Sequence, residues 1–141
     1  MIVVGTSNWR GAFREGEGTI STTTETLPGV PYTFASRFEG ASGAIPEELL
    51  AAGHAACFNH ALANISGQNS LTVDSVHTSV EVAMGTDDHG PAITGVHITT
   101  SATIPGATEE KFQQMAEGAR AWCAFSKALS VEITMTATLV S

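Results

Sequence analysis

Pro46-Glu47-Glu48-Leu49-Leu50-Ala51-Ala52-Gly53-His54-Ala55-Ala56-Cys57-Phe58 is the stretch that decides the fold. Proline suits a first helical position, where its missing N–H would be unpaired anyway. Glu47 and Glu48 in the first turn complement the positive end of the helix macrodipole. Small and apolar residues then dominate through Ala63, and Gly67 is a suitable terminator, so a helix is expected over about 46–65. It is apolar nearly all round, which calls for burial on most sides. Gly53 and the alanines allow another backbone to approach closely. The helix carries Cys57, and the only other cysteine, Cys123, lies in a second helical stretch far downstream.

Outside these helices the period is two. Residues 2 to 10 and 18 to 24 read as the arms of a hairpin turning at Glu15-Gly16-Glu17-Gly18. Tyr32 to Phe38 reads as a further strand or an ordered loop entered through Pro31. Val76, Thr78, Val80, Val82 and Met84 alternate with polar residues, as do Val96, Ile98, Thr100, Ala102 and Ile104 after a turn at 85–91. Thr108 as N-cap followed by Glu109 and Glu110 opens a second helix, expected over about 108–128. Its apolar stripe is Phe112, Met115, Ala116, Ala119, Trp122 and Cys123. Val131, Ile133, Met135, Ala137 and Leu139 mark a last strand. The sum is an α+β protein: one antiparallel sheet with a wet face, and two core helices on the other. The first helix is too apolar for one chain with two helices to cover, so a homodimer burying it is expected.

A chain of 141 residues with 43% hydrophobic content is expected to form a single domain with a real core. Six basic residues stand against fourteen acidic, a net charge of −8 with no basic run. That argues against nucleic acid or an anionic membrane surface as a partner. No apolar stretch approaches a membrane span, and Met1 to Trp9 lacks the pattern of a secretory signal. A cytoplasmic location is the expectation, and there a cysteine pair is more often catalytic or redox-active than a structural bridge.

A thiolate is the reactive form of cysteine, and an ordinary thiol has a pKa near ~8.5, so a reactive one needs a positive neighbour. Cys57 lies too far into its helix for the macrodipole to help. The chain has four arginines and two lysines. Arg37, between aromatics in the segment leading into the cysteine helix, is the best candidate. Arg120 could play a similar part beside Cys123, although an exposed helix position is the ordinary reading; Arg10 and Arg14 read as surface charges. An arginine in an apolar pocket needs an orienting carboxylate, and both Glu47 and Glu48 are available. Ten residues of continuous helix span about 15 Å, so Glu47 and Cys57 of one chain cannot share a tight site. An antiparallel pairing of this helix across a dimer would bring them together. Taken singly, a cysteine in an alanine-rich helix is usually a small core residue. His54, Cys57 and His60 are a competing set of metal ligands, three where a closed tetrahedral site demands four.

Pro46-Glu47-Glu48-Leu49 through His54-Ala55-Ala56-Cys57-Phe58 resembles the signature around the reactive cysteine of the OsmC/Ohr family of hydroperoxide reductases. Pro31-Tyr32 with Arg37-Phe38-Glu39-Gly40 resembles the segment upstream of it. Cys123-Ala124-Phe125-Ser126 is similar to the second-cysteine motif, with Ala124 where the family usually has proline, a change expected to alter local helix geometry. His54, where the Ohr branch tends to have tyrosine, and the place of Arg37 favour the OsmC branch. The resemblance implies an intertwined homodimer and a peroxidase of organic or lipid hydroperoxides that serves oxidative or osmotic stress. It implies that Cys57 is the nucleophile, that Arg37 keeps it ionised and polarises the peroxide, that Glu47 orients Arg37, and that Cys123 closes a disulfide with Cys57. It further implies no bound cofactor or metal, and recycling by a dithiol such as a dihydrolipoyl group or by a lipoylated protein. Tyr32, Phe34, Phe38, Phe58 and Phe125 are the candidates to line the substrate pocket. The alternative is a non-catalytic dimeric binding scaffold that keeps the fold without the activity.

Overall fold

The computed structural model describes all residues, Met1–Ser141. The chain divides into two compact units, Met1–Glu48 and Leu49–Ser141.

The first unit holds strands β1 (Gly5–Arg10), β2 (Glu17–Thr22) and β3 (Pro28–Tyr32), an antiparallel sheet in that order. Trp9 pairs with Gly18, and Gly18 with Tyr32. The absence of a side chain at Gly18 lets the Trp9 and Tyr32 rings meet above it, since a Cβ there would lie 2.6 Å from the tyrosine ring. The segment after Tyr32, open between strand and loop from sequence, is a short helix α1 (Phe34–Phe38). Thr33 and Ser36 form a capping box, each side chain serving the other's backbone N–H. The Ser36 hydroxyl also donates to the Ala44 carbonyl, which ties α1 to the run that begins the next helix.

That helix, α2 (Pro46–Gln68), crosses the boundary between the units. It outlasts the expected end. Gly67 stays helical, and the stop falls at Ser70, whose φ of 59° takes the left-handed conformation. The Leu71 N–H then returns to the Ser66 carbonyl and the Ser70 N–H to that of Gly67.

The second unit adds β4 (Ser75–Asp87), β5 (Gly90–Thr103), α3 (Glu109–Trp122), α4 (Ala124–Ala128) and β6 (Ile133–Leu139). The sheet order is β4-β5-β6. β4 and β5 are antiparallel, but β5 and β6 run parallel, which corrects the expectation of one all-antiparallel sheet. Alternation reports which face a residue takes and says nothing of strand direction; the helical crossover between β5 and β6 makes the parallel return possible. Val96, Ile98, Thr100, Ala102 and Ile104 are buried as the alternation requires. A bulge between Ala83 and Met84 breaks the β4 pattern, leaving Met84 exposed. The core joins Phe58 and Leu62 of α2, Ile98 of β5 and Ile104 just past its end, and Phe112, Met115, Ala116 and Ala119 of α3. Thr108 caps α3 by accepting from the Lys111 N–H.

The expected helix over 108–128 is two helices. At Cys123 the backbone turns to φ −57°, ψ 134°, so α3 ends and α4 begins there. The break points Trp122 away from the core, with 72% of its surface exposed, while Cys123 is buried.

Candidate functional site

Two pairs of the expected site residues meet. Both hang on α2: Glu47 in its first turn, Cys57 ten residues later, about 15 Å along the axis.

In the first unit Arg37 Nε donates to Glu47 Oε1 at 3.0 Å and Oε2 at 3.3 Å, and Nη2 donates to Oε1 as well. Glu47, not Glu48, therefore holds the guanidinium. Glu47 is buried, whereas Arg37 keeps a third of its side chain exposed and lies over the Phe38 ring, 4.9 Å from its centre. Burial pushes the Glu47 carboxyl up, but the hydrogen bond from Arg37, its own backbone and the guanidinium charge outweigh this and hold it below the ordinary range. The pair therefore stabilises the fold above the ordinary carboxylate pKa, and the gain is lost as pH falls through the lower folded value. Glu47→Gln is expected to cost roughly 1–3 kcal/mol near neutral pH. The deficit should shrink in acid, and urea melts at both pH values check it. Arg37 opens onto a pocket of about 250 Å³ lined by Trp9, Phe13, Tyr32, Thr33, Phe34 and Phe38. Three of the five expected substrate contacts, Tyr32, Phe34 and Phe38, are thus together.

In the second unit Cys57 and Cys123 line one open pocket of about 300 Å³ with His60, Ala61, Asn64, Trp122 and Ala124. Both are free thiols, Cys57 half-buried and Cys123 buried. They share this pocket, and their acidities diverge. Burial pushes the Cys57 thiol up, but the hydrogen bond from Cys123, the backbone N–H groups of Phe125 and Ala124 and the charge of Lys127 bring it below the ordinary value. Cys123 is pushed up by burial first, then by Cys57, against the N–H groups of Ser126 and Phe125. One sulfur is prepared to ionise and its neighbour to keep its proton.

The break at Cys123 makes this possible. No side chain caps α4, so its first N–H groups are free to face Cys57. Sequence reasoning missed Lys127, although one of only two lysines lay four residues past Cys123. Ala124 matters for the same reason, because proline in its place has no N–H to give. Cys123 already has the extended backbone that a residue before proline favours, and Ala124 is a first helical residue, where proline is tolerated. Ala124→Pro is expected to fold normally and to move the Cys57 titration to higher pH. Alkylation of Cys57 at neutral pH should slow roughly twofold to tenfold, the equivalent of one net hydrogen bond. Ultraviolet thiolate absorbance against pH checks this.

Other expectations change. Phe58 is 0% exposed within the core, so it cannot line a substrate pocket. Apolar content alone does not separate a core ring from a pocket ring. Phe125 is half-buried and stacks on His54, with ring centres 5.8 Å apart and planes 17° off parallel. His54 is buried and hydrogen-bonded to Ser126, whereas His60 is exposed, so these two do not join Cys57 as metal ligands. No group of three His, Cys, Asp or Glu side chains is placed to hold a metal ion. Arg10 and Arg120 pair with Glu17 and Glu117 at the surface. No helix is long and apolar enough to cross a membrane.

Fold and site define an α+β protein with a paired-thiol centre. The chain belongs to the OsmC-like protein family, whose model matches residues 39–138. It is 38% identical over 131 residues to Peroxiredoxin OsmC of Escherichia coli, covering 93% of this chain and 92% of that one. It is 30% identical over 100 residues to an organic hydroperoxide resistance protein of Xanthomonas axonopodis, covering 71% and 69%. Among solved structures, an OsmC-like protein from Mycoplasma pneumoniae superposes with a TM-score of 0.76 at 16% identity, covering 100% and 99% of the chains. A Legionella pneumophila OsmC gives 0.74 at 21%, covering 98% and 97%. Likeness at that identity concerns the fold.

Proposed function

We propose that this chain is a thiol-dependent peroxidase that reduces organic hydroperoxides to alcohols in the response to oxidative or osmotic stress. The observation that carries the reading is the pairing of Cys57 with Cys123 at one open pocket, the first thiol made more acidic and the second less. The names of the relatives, peroxiredoxin and organic hydroperoxide resistance protein, support the same chemistry.

The Cys57 thiolate attacks the distal peroxide oxygen. The O–O bond breaks, a sulfenic acid forms on Cys57, and the alkoxide leaves and takes a proton to become the alcohol. Cys123 then attacks the sulfenic sulfur; an S–S bond forms and water departs. A dithiol, such as a dihydrolipoyl group or a lipoylated protein, reopens the disulfide by exchange and is itself oxidised. No bound cofactor enters these steps.

The charge that polarises the peroxide is assigned to Arg37, oriented by Glu47. Since Glu47 and Cys57 are ten residues apart along one continuous helix, we assign the complete site to a homodimer. Arg37 and Glu47 of one protomer meet Cys57 and Cys123 of its partner, and the aromatic pocket of Tyr32, Phe34 and Phe38 then receives the organic group. Exposed Ala52, Ala56 and Ala63 on α2, with exposed Ile2 and Val3, are apolar surface that dimerisation would cover.

The test is peroxide consumption by pre-reduced protein, cumene hydroperoxide against hydrogen peroxide, with free thiols counted before and after. Fast loss of both thiols with the organic peroxide and slow loss with hydrogen peroxide is expected. No loss with either would leave a scaffold with structural cysteines.

A further inference from the structure

We propose that His54 is a positioning residue for the Cys57 thiol, acting through the Cys123–Ala128 segment that it holds against α2. The inference rests on Cys57 being the reactive sulfur and adds a role for a histidine that takes no part in the proton and electron transfers above.

His54 is 0% exposed. It lies one turn before Cys57 on α2, so the two side chains share a stripe of the helix. Its Nε2 is hydrogen-bonded to Ser126 Oγ at 3.0 Å, and its ring is stacked on Phe125. Beside it, Gly53 has no side chain to interfere: a Cβ there would lie 2.8 Å from Phe125 Cζ. The Phe125 ring is therefore seated on α2 by Gly53 and His54, and Ser126 is anchored by the imidazole. These two residues lie within α4, between the Ala124 N–H and Lys127, both of which act on Cys57. Holding α4 in place holds those groups on the sulfur.

The second nitrogen of the ring separates this role from mere packing. Nδ1 is buried and has no hydrogen-bond partner. Such an atom costs roughly 1–3 kcal/mol, which an apolar side chain of similar size would not. Burial also keeps the imidazole below its ordinary pKa, so it is neutral at neutral pH and supplies no charge to the thiolate. A buried, neutral, half-satisfied histidine is a poor choice for stability alone. What it offers that leucine does not is a directed bond to Ser126 and a flat face for Phe125.

The test uses the whole protein, reduced, with iodoacetamide as the probe and mass spectrometry to separate alkylation of Cys57 from that of Cys123. His54→Leu is expected to melt at the same temperature as the wild type or higher, yet to alkylate at Cys57 roughly twofold to tenfold more slowly at neutral pH, the equivalent of one net hydrogen bond. Ser126→Ala should slow Cys57 similarly, and the double variant should be no slower than the slower single one, because both cut the same link. An unchanged Cys57 rate and thiolate titration in folded His54→Leu would overturn the proposal. So would slowing at both cysteines that merely follows a drop in melting temperature. If His54→Leu does not fold, Ser126→Ala decides alone, and an unchanged Cys57 rate there overturns the proposal. No peroxide is used, so wild-type protein that consumes none would refute the peroxidase reading and leave this result standing.

Discussion

Cys57→Ser is expected to abolish peroxide consumption, with a loss on the order of a thousandfold or more, because a hydroxyl does not ionise near neutral pH and is a far weaker nucleophile toward peroxide oxygen. The substitution is nearly isosteric at a half-buried position, so the fold should survive. The Phe125 and Ala124 N–H groups, the Cys123 thiol and the Lys127 charge would then act on a neutral oxygen. A stability change of about 1 kcal/mol or less is expected. Cys123 should lose one reason for its raised pKa, since the neighbouring sulfur is among the causes. Initial rates with cumene hydroperoxide, set beside melting curves, check this. Activity within a few-fold of wild type would end the assignment of Cys57 as nucleophile.

Cys123→Ser is expected to do something different. The first turnover should proceed, because Cys57 still attacks and a serine hydroxyl can still donate to it. Multiple turnover with a dithiol reductant should fall by about tenfold or more, because the sulfenic acid has no neighbouring thiol to capture it. Mass spectrometry after one equivalent of peroxide should find Cys57 one oxygen heavier, where the wild type is two hydrogens lighter per chain. In excess peroxide the variant should pass on to sulfinic acid and stop. The wild-type geometry favours capture, since Cys123 lies at the same pocket as Cys57. Equal turnover in wild type and Cys123→Ser would remove Cys123 from the cycle.

Much of the scaffold was legible from residue pattern. The cysteine helix announced itself by Pro46, its two first-turn glutamates and the small apolar run. Thr108 was legible as an N-cap because a hydroxyl before two acids is a local chemical signal. The buried face of β5 followed from strict alternation. Two of the failures shared a cause, because each needed a partner distant in sequence. The direction of β6 depends on the route of the crossover. Phe58 and Phe38 look alike in sequence, yet one is sealed in the core and the other faces Arg37.

The site divides along the same line. The cysteines stood out because they are only two, and Arg37 because cations are few. By itself, then, the sequence determined the α+β class, the helix that carries Cys57, the candidate thiols and the aromatic company of Arg37, because composition and periodicity are local properties. The tertiary structure decided that Glu47 rather than Glu48 takes Arg37, that the chain breaks at Cys123, and that the break turns the Ala124 and Phe125 amides and Lys127 onto Cys57. The Arg37–Glu47 pair depends on how α1 is tied to the run that opens α2, and the Cys57 site on bringing together segments far apart in the chain, which the core shared by α2, α3 and the sheet sets.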